Sequence, residues 1–201
     1  MNFLSIDCST DVSSLFLKIK NKTFSKILQS DKSNNDLLIK NILDFFKENN
    51  TNLGDISHIF VNQGPGNFSG LRGSIATAKG ISISNNLNLV GYNTFLLCSS
   101  KFFEKNETII SFIKFRKKYF FQKFTKKLEA ISKIKEINKE ELIKNYSNEF
   151  KTLPQNIAET VDKDILKLNN LNIVNLDHSQ LEFLHLKGLL DKDLIKPLYL
   201  S

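Results

Sequence analysis

The sequence predicts an α/β fold in which a mixed sheet is covered by helices on both faces. Three observations carry that prediction. Apolar runs of strand length recur at 2–7, 12–19 and about 23–28, separated by polar turns. From Asp36 the apolar period becomes helical, with Leu38, Ile42, Phe45 and Phe46 on one side. Beyond that helix, strand and helix signals alternate, giving the order β-β-β-α-β-α-β-α over the first half. Hairpin-linked strands followed by alternating helices and strands imply antiparallel and parallel pairing in one sheet.

Each element has its own punctuation. Ser9 to Asp11 and Asn21-Lys22 turn the first three strands. Ser30 to Asn35 is a polar loop rich in N-cap residues, and Asn49-Asn50 with Gly54 close the helix that follows. Ile56–Asn62 reads as a strand, Ser69 to Ser84 as a helix capped by Ser69, and Leu87–Tyr92 as a strand. Thr94 caps a helix reaching Phe103. A smaller, shortened second lobe is placed at 101–201, after a first lobe at 1–100. In it Thr108–Ile113, Lys118–Phe124 and, more weakly, Leu128–Ile134 read as strands. Lys139–Phe150, Asn156–Leu168 and Gln180–Leu190 read as helices, with strands at Ile173–Leu176 and Ile195–Leu200. No internal repeat of fixed period is visible.

At 201 residues and 41% hydrophobic content the chain can bury a sizeable core. No stretch approaches the roughly 20 apolar residues of a membrane span, so a cytoplasmic protein is expected. The net charge of +7 suits an acidic partner such as RNA. Crowding by Lys and Asn with no Trp explains it equally well as a compositional bias. Cys8 and Cys98 offer neither a disulfide framework nor metal spacing and read as buried small hydrophobes.

The densest local signal is Gly64-Pro65-Gly66-Asn67-Phe68-Ser69-Gly70-Leu71-Arg72. Three of the eight glycines fall within it, between a strand and a helix. Such a loop has a specified shape, of the kind used for phosphate cradles or partner surfaces. No Gly-Lys-Ser/Thr follows, so it is not a P-loop. On the helix after it, Gly73, Ala76, Thr77, Gly80 and Ser84 form a stripe of small residues. Glycine inside a helix costs about 0.5–1 kcal/mol relative to Ala, and close approach of another helix is the usual compensation. The preceding helix, with seven apolar residues between Leu37 and Phe46, carries more apolar surface than one core stripe needs.

Catalytic chemistry is thinly represented. Asp7, Ser9 and Thr10 offer a carboxylate and hydroxyls at a strand end without a glycine turn; Asp7 reads as a turn or cap residue in preference to a metal ligand, the alternative being a vestigial nucleotide site. His58, His178 and His185 lack metal-ligand spacing, and Ser69 lacks a nucleophile elbow, so neither a metal nor a catalytic residue is assigned. The run Phe112 to Phe121 interleaves aromatics with basic residues. Arg116, Lys117 and Lys118 could contact RNA there, or the aromatics could fill the second lobe.

The glycine motif, continued by Ala76-Thr77-Ala78-Lys79-Gly80, resembles the signature of the bacterial TsaB (YeaZ) family. Ile6-Asp7-Cys8-Ser9-Thr10 is similar to that family's opening, and Pro197-Leu198-Tyr199-Leu200 to its closing segment. Asn67 stands where the family commonly has Ser. The resemblance implies a two-lobed actin-like (ASKHA, RNase H-like) fold. It also implies a part in making threonylcarbamoyladenosine beside the tRNA anticodon, as a non-catalytic subunit that pairs with the catalytic subunit TsaD. The ATPase TsaE joins that pair, and tRNA is reached through the complex. ATP and a metal are then expected on partner subunits, with no cofactor on this chain. The partner interface is expected at Leu38, Ile42, Phe45, Gly73, Ala76, Thr77, Gly80 and Ser84, with Gly64, Pro65, Gly66, Phe68, Ser69, Gly70 and Arg72 shaping the loop. A homodimer through the same helices is compatible with this in isolation. The alternatives are a stand-alone actin-like enzyme with an eroded nucleotide site, or an RNA-binding module.

Overall fold

The computed structural model describes residues 1–10, 12–28, 34–191 and 195–200. The polar loop expected at Ser30 to Asn35 lies largely outside them, as does Asp11 of the first turn. The chain forms two compact units, Met1–Asn93 with Leu181–Ser201, and Thr94–Gln180.

In the first unit β1 (Phe3–Asp7), β2 (Ser13–Ile19), β3 (Lys22–Leu28), α1 (Asn34–Glu48), β4 (His58–Asn62), α2 (Phe68–Asn85) and β5 (Asn88–Tyr92) follow in the expected order. The sheet runs β3-β2-β1-β4-β5, antiparallel across the first three strands and parallel from β1 to β4 and β5. All five residues of central β1 are buried, whereas β3, at the edge, is mostly exposed and carries Lys22 and Lys26. On one face Leu4 and Ile6 meet Leu38, Ile42, Phe45 and Phe46 of α1 and Ile75, Ala78 and Ile81 of α2 in one core. Phe3 points the other way, its ring 4.9 Å from that of Phe60. Phe60 in turn lies 5.8 Å from the ring of His185 on a helix at Gln180–Leu186. The sheet is therefore covered on both faces.

The second unit holds α3 (Thr94–Ser99), β6 (Thr108–Phe115), β7 (Lys118–Thr125), β8 (Lys135–Ile137), α4 (Lys139–Asn145), β9 (Lys151–Pro154), α5 (Gln155–Ala158), α6 (Lys163–Leu166) and β10 (Leu171–Val174); the helix at Gln180–Leu186, α7, belongs to the first unit from Leu181 on. Its sheet runs β10-β9-β6-β7-β8, with β6, β7 and β8 antiparallel and β6, β9 and β10 parallel. This is the connectivity of the first sheet repeated: a three-stranded antiparallel meander whose first strand pairs in parallel with a fourth strand, which pairs in parallel with a fifth. Duplicated sheets of this kind are the actin-like architecture expected from the sequence.

Several elements differ from expectation. The compact units divide differently from 100/101: the chain returns to the first unit at Leu181, with α7, and there Gly91 N–H donates to the Asp191 carbonyl at 3.0 Å and Ile195 joins the core. The segment 195–200 is not a strand. Leu198 N–H donates to Gln63 O at 2.7 Å, but Pro197 has no N–H to continue a ladder. Leu128–Ile134 contributes only a bridge at Ala130, and the third strand is β8. The helix expected to reach Phe150 stops at Asn145, and the next becomes two short helices. Between them the sequence hid β9, whose Lys151 is fully buried. Its ammonium donates to the carbonyls of Tyr146, Ser147 and Glu149 at 2.6, 3.1 and 2.5 Å, and burial lowers its pKa.

Candidate functional site

The glycine loop is built against the end of β1. A Cβ on Gly66 would lie 1.9 Å from the Ser9 carbonyl oxygen, and one on Gly70 2.3 Å from that of Cys8. Asn67 N–H donates to Ser9 O at 2.7 Å, which binds the loop to the same turn. Gly64, at φ +106°, precedes a cis peptide to Pro65, and its N–H donates to Asn62 Oδ1 at 2.8 Å. These glycines admit protein backbone, leaving no room there for a phosphate. The helix cap falls on Asn67 rather than Ser69. Asn67 Oδ1 accepts from the N–H groups of Ser69 and Gly70, and Ser69 is exposed.

Beneath the loop Asp7 is only 5% exposed. Its Oδ1 accepts from Ser9 N–H at 2.9 Å and Ser9 Oγ at 2.7 Å, and its Oδ2 from Asn62 Nδ2 at 2.9 Å. Tyr92 OH donates to Oδ2 at 3.5 Å, and burial, then the Asp7 charge, hold that phenol well above its ordinary pKa. Thr10 Oγ1 donates to Val12 O, closing the turn on itself. The nucleotide reading of Asp7, Ser9 and Thr10 thus meets a carboxylate occupied on both oxygens. It fastens β1 to β4.

The loop and the chain's last residues also meet. Arg72 Nε donates to Tyr199 OH at 2.8 Å. Its guanidinium carbon lies 3.8 Å from the centre of the Phe68 ring, which is itself 5.2 Å from the Tyr199 ring. Gln63 Nε2 donates to Lys196 O at 3.0 Å. Sequence reading flagged both motifs without pairing them.

The two helices divide differently from expectation. Leu38, Ile42 and Phe45, assigned to the interface, are at most 2% exposed and belong to the unit's own core. The surplus apolar surface of α1 lies instead on Leu37, Ile39 and Leu43, each more than 40% exposed. On α2 the stripe survives as surface: Ala76, Gly80 and Ser84 are exposed, and Gly73 and Thr77 half-buried. Nothing among the described residues lies within 4 Å of a Cβ placed on Gly80, so no described element makes the close approach that its glycine permits.

Comparison with known proteins places this geometry. A family model described as "TsaD: tRNA N6-adenosine threonylcarbamoyltransferase" matches residues 29–114, from ahead of α1 into β6. The tRNA threonylcarbamoyladenosine biosynthesis protein TsaB of Buchnera aphidicola is 34% identical over 101 residues, 49% of this chain and 45% of that protein. TsaB of Escherichia coli is 24% identical over 106 residues, 53% of this chain and 46% of its own. YeaZ from Pseudomonas aeruginosa superposes with a TM-score of 0.73 over 99% of both chains at 16% identity. A second structure from that organism, described as similar to peptidase YeaZ, reaches 0.75 at 15% identity over 100% of this chain and 99% of its own. The chain is similar in sequence to TsaB over about half its length and has the YeaZ fold.

The sequence matches to the two TsaB proteins span about half their length, whereas the YeaZ fold extends over both units here. Against the TsaB pattern, Asn67 in place of Ser keeps a side-chain oxygen at the cap. Burial pushes Cys8 up to about 11 and Cys98 up to about 12, and among the described residues no group of three His, Cys, Asp or Glu is placed to hold a metal. No described helix is long and apolar enough to cross a membrane.

At the β6–β7 turn, Arg116, Lys117 and Lys118 are exposed, while Phe112, Tyr119, Phe120 and Phe121 are buried. Four of the five aromatics of that run therefore pack into the second unit, and Phe115 at the turn is half-buried.

Proposed function

We propose that this chain is a non-catalytic subunit in the synthesis of threonylcarbamoyladenosine on tRNA, pairing in the cytoplasm with a TsaD-like catalytic subunit. The exposed stripe of α2, with the flank of α1 at Ile39 and Leu43, is the docking surface. The observation that carries this reading is Gly80, a mid-helix glycine facing open space. Relative to Ala it costs about 1 kcal/mol, and no described residue packs against it to return that energy. A partner helix packed on the stripe would. The names of the TsaB relatives supply the pathway, and the occupied carboxylate of Asp7 favours a supporting role over independent ATP chemistry. ATP and its metal belong to TsaD-like and TsaE-like partners in this scheme, and tRNA is modified on the assembled complex.

Co-expression with a tagged TsaD-like subunit from the same source tests the pairing. The wild-type chain co-purifies, and Gly80→Arg, which fills the stripe with a long cation, is lost from the complex while remaining folded. Retention of Gly80→Arg at wild-type stoichiometry contradicts the interface.

A further inference from the structure

The second unit carries a cleft of about 400 Å³ where the β6–β7 turn faces the start of α4. Five cations line it, Lys114, Arg116, Lys117, Lys118 and Lys139, against three carboxylates. Most of that charge is committed to built ion pairs. At the floor Lys114 Nζ is 2.9 Å from Asp162, and Tyr119 OH donates to the same carboxylate. The Tyr119 hydrogen bond, then Lys114, hold the Asp162 carboxyl down at about 2, so it keeps its charge and fixes both groups. Lys118 pairs with Glu136 at 2.8 Å, and Lys139 with Asp164 at 2.7 Å.

Arg116 and Lys117 are left over. Both are exposed and neither has an acidic partner among the described residues. Arg116 sits at φ +57°, which few non-glycine residues adopt, and its guanidinium lies 5.5 Å from the Phe115 ring. The turn thus holds two unneutralised cations at the rim of a cleft in which Lys114, Lys118 and Lys139 are each paired with a carboxylate, and Glu140 is the one lining carboxylate outside those pairs. Guanidinium beside ammonium on a rigid hairpin suits phosphate oxygens. With Tyr119, Phe120 and Phe121 buried and the half-buried Phe115 ring beside the Arg116 guanidinium, the cations are the groups the turn offers to backbone phosphates.

We propose that this cleft is a phosphate-binding site through which the second unit holds the RNA backbone, Arg116 and Lys117 making the contacts. The choice of RNA among phosphate-bearing ligands rests on the proposed role in tRNA modification; the choice of phosphate does not. Neutralising two phosphates contributes a slope of about −1.4 to log K against log salt for single-stranded RNA.

The test measures binding of a fluorescent, unmodified tRNA transcript to the full chain between about 50 and 200 mM salt. In the double variant Arg116→Gly/Lys117→Ser the glycine preserves the turn. It is expected to lose about tenfold in affinity and to flatten the salt slope by about 1.4. Lys127→Ser/Lys133→Ser removes equal charge from exposed positions outside the cleft and should change affinity by less than about threefold. Lys117→Glu alone, which leaves Arg116 and its turn intact, gives the same ranking if the double variant is unstable. Polyphosphate should displace the transcript and polyglutamate of equal charge should not. Equal losses in cleft and control variants, an unchanged slope, or displacement by polyglutamate overturns the proposal. The cleft variant should still co-purify with the TsaD-like subunit and Gly80→Arg should still bind tRNA, so each reading can fail alone.

Discussion

The carbonyl oxygen of Ser9 occupies the space a side chain on Gly66 would need, 1.9 Å from the ideal Cβ position. A loop that looks like a phosphate cradle in sequence is in fact filled by the protein's own first turn. Gly66→Ala forces two backbones apart in a packed region. It is expected to lower the unfolding free energy by about 3 kcal/mol, read from urea denaturation.

Gly80 behaves oppositely. With open space around its missing side chain, Gly80→Ala should raise stability by about 0.5–1 kcal/mol through helix propensity alone. Thermal melts of the isolated chain check the sign. A destabilised Gly80→Ala would mean that the stripe is packed within the chain.

Asp7→Asn replaces one acceptor oxygen with a donor facing Ser9 or Asn62, leaving a buried polar group unpaired. A loss of about 2 kcal/mol is expected in urea denaturation. Calorimetry with ATP should show no binding to wild type or variant; Asp7-dependent ATP binding would revive the nucleotide reading.

Acid stability should carry the mark of Asp162. Its folded pKa, about 2, lies below the ordinary carboxylate value near 3.9. Its contribution is therefore complete above about pH 4 and disappears as pH falls towards 2. Asp162→Asn should flatten the stability profile across that window and leave it unchanged in shape from pH 5 to 8.

Both thiols should resist alkylation in the folded protein at about pH 8, because burial keeps them protonated to about 11 and 12. They become reactive on unfolding. Folded-state pKa values above the unfolded one mean that their stabilising contribution is full below about pH 8.5 and is lost as pH rises through 11 and 12.

Much of the first unit was legible because its signals are local. The meander β1 to β3, the glycine loop and the period of α2 all lie in short windows, and the motif at 64–72 with the tail at 197–200 pointed to the family. What stayed hidden depended on distant neighbours. α1 is apolar on nearly every side, so its sequence could not say that Leu38, Ile42 and Phe45 turn inward while Ile39 and Leu43 remain out. β9 reads as a loop because Lys151 and Pro154 are poor strand residues, yet three carbonyls hold the lysine inside. The repeat of one sheet topology in both units leaves no sequence period, since strand order is conserved where residues are not.

The central claim is most directly tested by the modified nucleoside itself. In a bacterium depleted of its own TsaB, this chain is supplied with its cognate TsaD-like subunit, and threonylcarbamoyladenosine in bulk tRNA is quantified by mass spectrometry. Wild type is predicted to restore the modification and folded Gly80→Arg to leave it at the depleted level. No restoration by the well-expressed wild-type pair, or full restoration by Gly80→Arg, would contradict the assignment.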